Sequence, residues 1–129
     1  MKASELRIGN LVEYTNGGIF KVIGIHGFGL DVEDEIEITY MELENFEPIP
    51  LTEEWLLKFN EVRKFGGTIY LPLMNLKAEI HFEIYGNHIV STVKSDFAEL
   101  ILDPIKHVHQ LQNLYFVLTN EELTYEQQK

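Results

Sequence analysis

The chain has 129 residues, of which 45% are hydrophobic and 12% aromatic, so it can bury a hydrophobic core and is not expected to be disordered. It contains no cysteine, which excludes disulfides, thiolate metal sites and cysteine nucleophiles. The formal net charge of −11 disfavours the phosphate backbone of nucleic acids as a partner.

The N-terminal sequence lacks the apolar run of a signal peptide, and no later apolar run approaches the length that spans a bilayer. We therefore expect a cytoplasmic protein without membrane partners.

Residues 8–50 have the pattern of short strands separated by turns. The segment 16–18 (Asn-Gly-Gly) is a strong hairpin signal, and a three-residue loop would place Tyr14 opposite Phe20 and Glu13 opposite Lys21. The later elements expected in this region are strands at Leu30–Glu33, Ile36–Tyr40 and Phe46–Ile49 and a helical turn at Met41–Glu44. Short strands in such close succession predict that residues 1–50 form an SH3-like small β-barrel.

Charge is unevenly distributed along the chain, because no Lys or Arg lies between Lys21 and Lys58. The carboxylates of this interval are Asp31, Glu33, Asp34, Glu35, Glu37, Glu42, Glu44, Glu47, Glu53 and Glu54. Such a surface attracts a basic partner, or it is a solvated face that keeps the protein soluble. It is not predicted to bind a metal, because residues 31–35 lack the glycine turn and the distal glutamate of an EF-hand loop.

A short helix is predicted from Thr52 to Asn60, because Thr52 can cap it and the two residues that follow are acidic. Trp55 is expected to be buried there. Residues 51–66 are accordingly interpreted as a joining helix and loop between two strand-rich halves.

The second half is predicted to be an antiparallel sheet followed by a helix. Its expected strands are Thr68–Leu73, Leu76–Tyr85 and His88–Lys94. A two-residue turn at 86–87 would place Tyr85 opposite His88 and Glu83 opposite Val90. Residues 98–102 fit a further strand, or a helix because Asp96 and Glu99 have the spacing of a capping box.

The last helix is predicted to start at Asp103 and Pro104 and to stop at Asn120 in a left-handed conformation. Residues after Leu123 are expected to fray. Residues 67–129 would then be a sheet covered by a C-terminal helix. The whole chain is predicted to be α+β, with these halves either separate or sharing one compact domain.

Two different faces are expected on that helix. Val108, Leu111, Tyr115 and Leu118 follow helical spacing and should lie on the sheet. A polar and aromatic stripe on the other face consists of His109, Gln112, Asn113 and Phe116. Since Phe116 would otherwise be left in water, either another segment of the chain covers the stripe or a protein partner or second copy does. The stripe is therefore the candidate contact surface.

No catalytic residue, metal site or cofactor is predicted. His81 and His88 would lie roughly 14 Å apart along the hairpin, and His107 and His109 would point about 200° apart on a helix. The sequence also lacks a Gly-x-Ser-x-Gly elbow, a Walker loop and a dinucleotide fingerprint.

Three segments carry a resemblance to a known family: Glu5–Val12 (Glu-Leu-Arg-Ile-Gly-Asn-Leu-Val), Pro48–Leu57 (Pro-Ile-Pro-Leu-Thr-Glu-Glu-Trp-Leu-Leu) and Val108–Phe116 (Val-His-Gln-Leu-Gln-Asn-Leu-Tyr-Phe). Together they resemble a family of small uncharacterised Bacteroidetes proteins associated with prophages and mobile elements. The resemblance implies lineage and genomic company, and it carries over no catalytic or binding residue.

The predicted function is that of a non-catalytic binding accessory protein of a prophage or mobile element. One alternative is a small hydrolase or nuclease-like enzyme, which requires carboxylates and histidines to converge. Another is nucleic-acid binding by the small barrel, which must overcome the acidic interval.

Overall fold

The computed structural model describes residues 1–34 and 37–125, which are α+β, with most strands in two antiparallel sheets and the longest helix near the C-terminus. The chain divides into two compact units. The first contains residues 1–50 and 107–113, and the second contains residues 51–106 and those from Leu114 onward. The predicted boundaries at residues 50 and 66 stay a prediction.

The first sheet has the strand order β4-β3-β2-β1-β5. Its strands are β1 (Leu11–Tyr14), β2 (Ile19–Ile25), β3 (Gly29–Glu33), β4 (Ile38–Glu42) and β5 (Phe46–Glu47). One face buries a cluster consisting of Leu6, Val12, Val22, Leu30, Val32 and Phe46. Within the described residues β4 and β5 are the two edges of an open sheet, so no closed barrel is formed.

The register of the first hairpin differs from the prediction. Val12 is paired with Phe20 and Glu13 with Ile19, so Tyr14 is not the cross-strand partner of Phe20, nor Glu13 that of Lys21, although the Tyr14 and Phe20 rings still meet edge-on at 6.3 Å. The reason is the turn: Gly17 has φ +93°, and the N–H of Tyr14 donates to the carbonyl of Gly18 at 2.8 Å. With Gly17 in the left-handed region, the loop lies one residue earlier in the chain than the predicted loop at residues 16–18.

The next elements lie close to their predicted places. β4 starts at Ile38, whereas Glu35 of the predicted turn and Ile36 of the predicted strand lie outside the described residues. The predicted helical turn is a 3-10 turn at Leu43–Asn45, and the strand after it ends at Glu47 instead of Ile49.

Helix α1 (Glu53–Lys58) is capped as predicted, because Thr52 Oγ1 accepts a hydrogen bond from Trp55 N at 3.2 Å. The predicted burial of Trp55 is wrong: its side chain is half-buried, and Leu56 is the fully buried residue of the helix. The indole ring stacks on Tyr125 at 5.4 Å and lies beneath the ammonium group of Lys58 at 4.3 Å. A ring this large is therefore covered only in part.

The second sheet is a meander in the order β10-β9-β8-β7-β6. Its strands are β6 (Arg63–Phe65), β7 (Thr68–Leu73), β8 (Ala78–Tyr85), β9 (His88–Ser95) and β10 (Glu99–Ile101). The predicted pairs Tyr85 with His88 and Glu83 with Val90 are confirmed. Gly86 takes φ +58°, as a tight two-residue turn requires.

The segment before the last helix is a strand instead of a helix. Ser95 Oγ accepts from the N–H groups of Phe97 and Ala98 at 3.3 and 3.2 Å. The serine therefore holds the turn between β9 and β10, and the capping-box spacing of Asp96 and Glu99 does not start a helix.

Helix α2 (Val108–Thr119) starts later than predicted, because the chain first pairs with residues 49–51. Leu51 N donates to Lys106 O and Val108 N donates to Ile49 O, both at 2.9 Å. These bonds keep residues 104–106 out of the helix. Its end is confirmed: Asn120 has φ +60°, in the left-handed region.

The residues after α2 are more ordered than predicted. Asn60 N donates to Thr124 O at 2.9 Å, Thr124 N donates to Glu61 Oε1 at 2.7 Å, and Tyr125 forms a bridge with Phe59. The predicted fraying is therefore wrong for Thr124 and Tyr125, and residues 126–129 lie outside the described part. No helix among the described residues is long and apolar enough to cross a membrane.

Candidate functional site

Helix α2 is buried on both of its distinctive faces. His109 and Gln112 are each 2% exposed, and Asn113 and Phe116 are half-buried. On the apolar face Val108, Leu111 and Tyr115 are buried, and Leu118 is half-buried. The polar stripe is therefore not a free surface along most of its length.

The amide of Gln112 takes the place of a neighbouring strand beside the start of β1. Its Oε1 accepts from Leu11 N at 2.9 Å, and its Nε2 donates to Gly9 O at 3.3 Å. One side chain therefore satisfies a buried backbone donor, Leu11 N, and a partly buried backbone acceptor, Gly9 O, of the same short segment.

Asn10 and Asn113 extend this amide network. Asn10 is fully buried, its Oδ1 accepts from Arg7 N at 2.6 Å, and its Nδ2 donates to Asn113 Oδ1 at 2.7 Å. Asn113 Nδ2 in turn donates to Glu5 O at 3.1 Å. The amides of the stripe are thus satisfied by the chain itself, which is the intramolecular alternative of the two that the sequence left open. Whether the stripe also contacts a partner stays a prediction.

His109 lies beside this network in an environment that disfavours its charge. Burial, and then the neighbouring His107, lower the pKa of His109, while Glu5 opposes them with its Oε2 4.0 Å from His109 Nε2. Within the described part of the chain His109 Nδ1 is buried without a hydrogen-bond partner. The neutral imidazole is accordingly the form that the fold favours.

The prediction that His107 and His109 diverge is wrong. Their rings stack at 5.7 Å with an angle of 8° between the planes. His107 lies before the helix, where it forms a β-bridge with Pro50, so the helical angle between residues two apart does not apply.

A groove on the first unit was not predicted from the sequence. It has a volume of about 520 Å³ and is lined by Met1, Gly27, Phe28, Glu42, Leu43 and Glu44. Phe28 is 87% exposed, although it is among the largest apolar side chains of the chain. A bond from Leu43 N to Phe28 O at 3.0 Å ties the turn between β2 and β3 to the 3-10 turn, so the groove is part of the fold.

The outer face of β3 and β4 shares Glu42 with the groove. Tyr40 is exposed and lies across Gly29, where an added Cβ would approach the ring to 2.5 Å. The ring of His26 meets Tyr40 edge-on at 5.6 Å, and His26 Nε2 is 2.7 Å from Asp31 Oδ2. The sequence signal that could have revealed this surface is an aromatic residue between two glycines, at residues 27–29.

The second unit has a more polar groove of about 460 Å³. Its polar lining consists of Glu53, Thr68, His81, Glu83, Tyr85 and Lys94. His81 Nε2 lies 2.7 Å from Glu79 Oε1, and the imidazole stacks on Tyr70. A hydrogen bond from Tyr85 to the carboxylate of Glu83 raises the pKa of the Tyr85 hydroxyl.

These groups do not form a metal site, since no three His, Asp or Glu side chains among the described residues are placed to hold an ion. A histidine oriented by a carboxylate can act as a general base. The lining of this groove includes no serine or cysteine that such a base would activate as a nucleophile.

Comparisons with protein families, with curated proteins and with solved structures found no match to this chain.

Proposed function

We propose that this chain is a non-catalytic binding protein, an accessory of a prophage or mobile element, whose first unit contacts a partner protein. The observation that carries the proposal is Phe28, which lies almost fully exposed at a groove tied to the fold by a backbone bond. An exposed aromatic at a preformed concavity is a frequent feature of interaction surfaces.

The first unit is proposed to be SH3-like. In support, its strands follow one another as a meander, and β5 returns after a 3-10 turn to pair with β1. A sheet with its last strand beside its first has the order that a strongly bent small barrel requires.

The proposed family membership rests on the resemblance of the three segments. Two of them, Glu5–Val12 and Val108–Phe116, are joined by the amide network of Asn10, Gln112 and Asn113. Their joint presence therefore has a physical reason, since each supplies the hydrogen-bond partners of the other.

Affinity capture from the source cells with matched baits tests the proposal. Wild type, Phe28→Ala and Phe97→Ala would be immobilised, because Phe97 is even more exposed than Phe28 but lies on the second unit. We expect a partner that is retained by wild type and Phe97→Ala and lost from Phe28→Ala. Three baits that retain the same set of proteins would contradict the proposal.

The second candidate is a hydrolase, favoured by the pair of His81 and Glu79 beside the polar groove. We expect phosphodiester and ester substrates to be turned over no faster by wild type than by His81→Ala. Turnover that His81→Ala abolishes would favour the enzyme instead.

A further inference from the structure

We propose that the groove at Phe28 docks a basic, extended segment of a partner protein, with an apolar side chain against Phe28 and Leu43 and flanking Lys or Arg residues near Glu42 and Glu44. This inference rests on the proposed function and names the chemistry of the partner.

The apolar part of the groove is built from two elements. Phe28 comes from the turn between β2 and β3, and Leu43 comes from the 3-10 turn after β4. The half-buried side chains of Leu43 and Met1 also contact the core of the first sheet, so they give the groove a fixed base. The base can receive one apolar side chain of a ligand without rearrangement.

The walls of the groove are acidic. Glu42 and Glu44 line it together with Met1, and the sequence has no Lys or Arg between Lys21 and Lys58. On the outer face of β3, Glu33 lies opposite Lys21 and Asp31 pairs with His26, so Glu42 and Glu44 are the carboxylates that give the groove its negative potential. Apolar contact and negative potential thus occur side by side, which is complementary to a Lys/Arg segment with an interspersed apolar residue.

Charge also decides between the possible occupants. A nucleic acid would bring phosphates towards these carboxylates, and a second copy would bring another net charge of −11. A basic segment of a different protein is the occupant that gains electrostatically from this surface.

The shape of the surface favours an extended ligand. β4 pairs with β3 and is an edge of the sheet within the described residues, with Ile38 and Tyr40 exposed along its outer face. A strand-like segment can lie along such an edge and present alternate side chains to it.

Selection from a random displayed peptide library tests the inference. The library would be selected on wild type and counter-selected on Phe28→Ala. The amino-acid composition of the selected peptides would then be compared with that of the unselected library. We expect enrichment of Lys and Arg around an apolar position. Selected peptides that are neutral or acidic, or that bind Phe28→Ala equally well, would overturn the inference.

A labelled selected peptide then tests the role of the carboxylates. One double variant carries both Glu42→Gln and Glu44→Gln. The control double variant carries Glu54→Gln and Glu121→Gln, which removes the same charge from exposed positions elsewhere. We expect the first pair to weaken Kd about tenfold and the control to change it about twofold or less, with the difference shrinking at high salt. Equal weakening by both pairs would reduce the effect to net charge and overturn the inference.

The two levels of the proposal fail differently. If affinity capture finds a partner that requires Phe28 but the selected peptides are not basic, the binding function stands and the basic chemistry is wrong. If neither capture nor selection depends on Phe28, both are wrong. Elution of the protein as a dimer that Phe28→Ala dissociates would assign the groove to a second copy.

Discussion

At the scale of single residues, the amides of the polar stripe on α2 are satisfied within the chain, whereas Phe28, which the sequence did not single out, is exposed. The sequence indicated Gln112 as a contact residue because it lies on the polar stripe of the helix. In the fold its amide forms hydrogen bonds with the backbone of Gly9 and Leu11. Phenylalanine is a residue type that is usually buried, yet the side chain of Phe28 is exposed. Spacing along a chain states which residues share a face, but not what covers that face.

Gln112→Ala is expected to lower the free energy of unfolding by about 1–3 kcal/mol, because it leaves the buried donor Leu11 N and the partly buried acceptor Gly9 O without this partner. Chemical denaturation measures this directly. Val117→Ala on the same helix, at an exposed position, is the control and should change stability by about 0.5 kcal/mol or less. Equal effects of the two substitutions would show that the amide network contributes nothing.

The lowered pKa of His109 predicts a pH dependence of stability. The folded state disfavours the imidazolium, so the unfolded state binds more protons as the pH falls through the ordinary histidine pKa of 6.5. Stability is therefore expected to be intact above that pH and to decrease below it. His109→Gln should reduce this slope and His88→Gln, at an exposed position, should not. Identical pH profiles for wild type and His109→Gln would contradict the assignment.

Gly29→Ala is expected to destabilise the first unit by about 1–3 kcal/mol, because the new methyl group would collide with the Tyr40 ring and with Met41 O. Thermal melting together with near-ultraviolet circular dichroism would follow stability and the tyrosine environment. Unchanged stability would contradict the prediction, because it would show that the Tyr40 ring and the backbone at Met41 both make room for the methyl group.

At the scale of elements, caps and turns were predicted correctly where the signal is local. Element boundaries that depend on tertiary contacts were not. Thr52, Gly86 and Asn120 act within one turn of chain, and each was predictable for that reason. The start of α2 was not, because pairing with residues 49–51 holds the preceding residues extended. The groove at Phe28 could not be predicted from periodicity. Phe28 lies between two glycines outside any strand or helix, and the other residues that line the groove are distant in sequence.

The register of the first hairpin leads to a test at this scale. Gly17→Ala should cost about 1–2 kcal/mol from the left-handed backbone alone, since nothing lies within 4 Å of the added Cβ. Gly67→Ala is matched to it, having the same free space without a positive φ, and should cost less. If the two substitutions lower the free energy of unfolding equally, the left-handed backbone at Gly17 does not determine the register of the hairpin.

At the scale of the whole molecule, charge separates the possible partners. The chain has 10 Lys and Arg against 21 Asp and Glu, so it can release few counterions from a duplex. Two acidic residues of the interval between Lys21 and Lys58, Glu42 and Glu44, line the groove at Phe28, so the two alternatives for this interval, a partner surface and a solvated face, are compatible.

We expect no appreciable binding of random-sequence duplex DNA at physiological salt, measured by fluorescence anisotropy. Submicromolar binding would contradict the charge argument and would point to Arg63, Lys64, Lys77 and Lys94 as a basic patch.

We propose two separate roles: the amides of the stripe on α2 stabilise the fold, and the groove at Phe28 binds a partner. The most direct test is the affinity of the captured partner for Phe28→Ala and Gln112→Ala, measured side by side at a temperature where both variants are folded. We predict that Phe28→Ala weakens binding about tenfold and Gln112→Ala by about twofold or less. Strong binding by Phe28→Ala together with weak binding by folded Gln112→Ala would contradict the account.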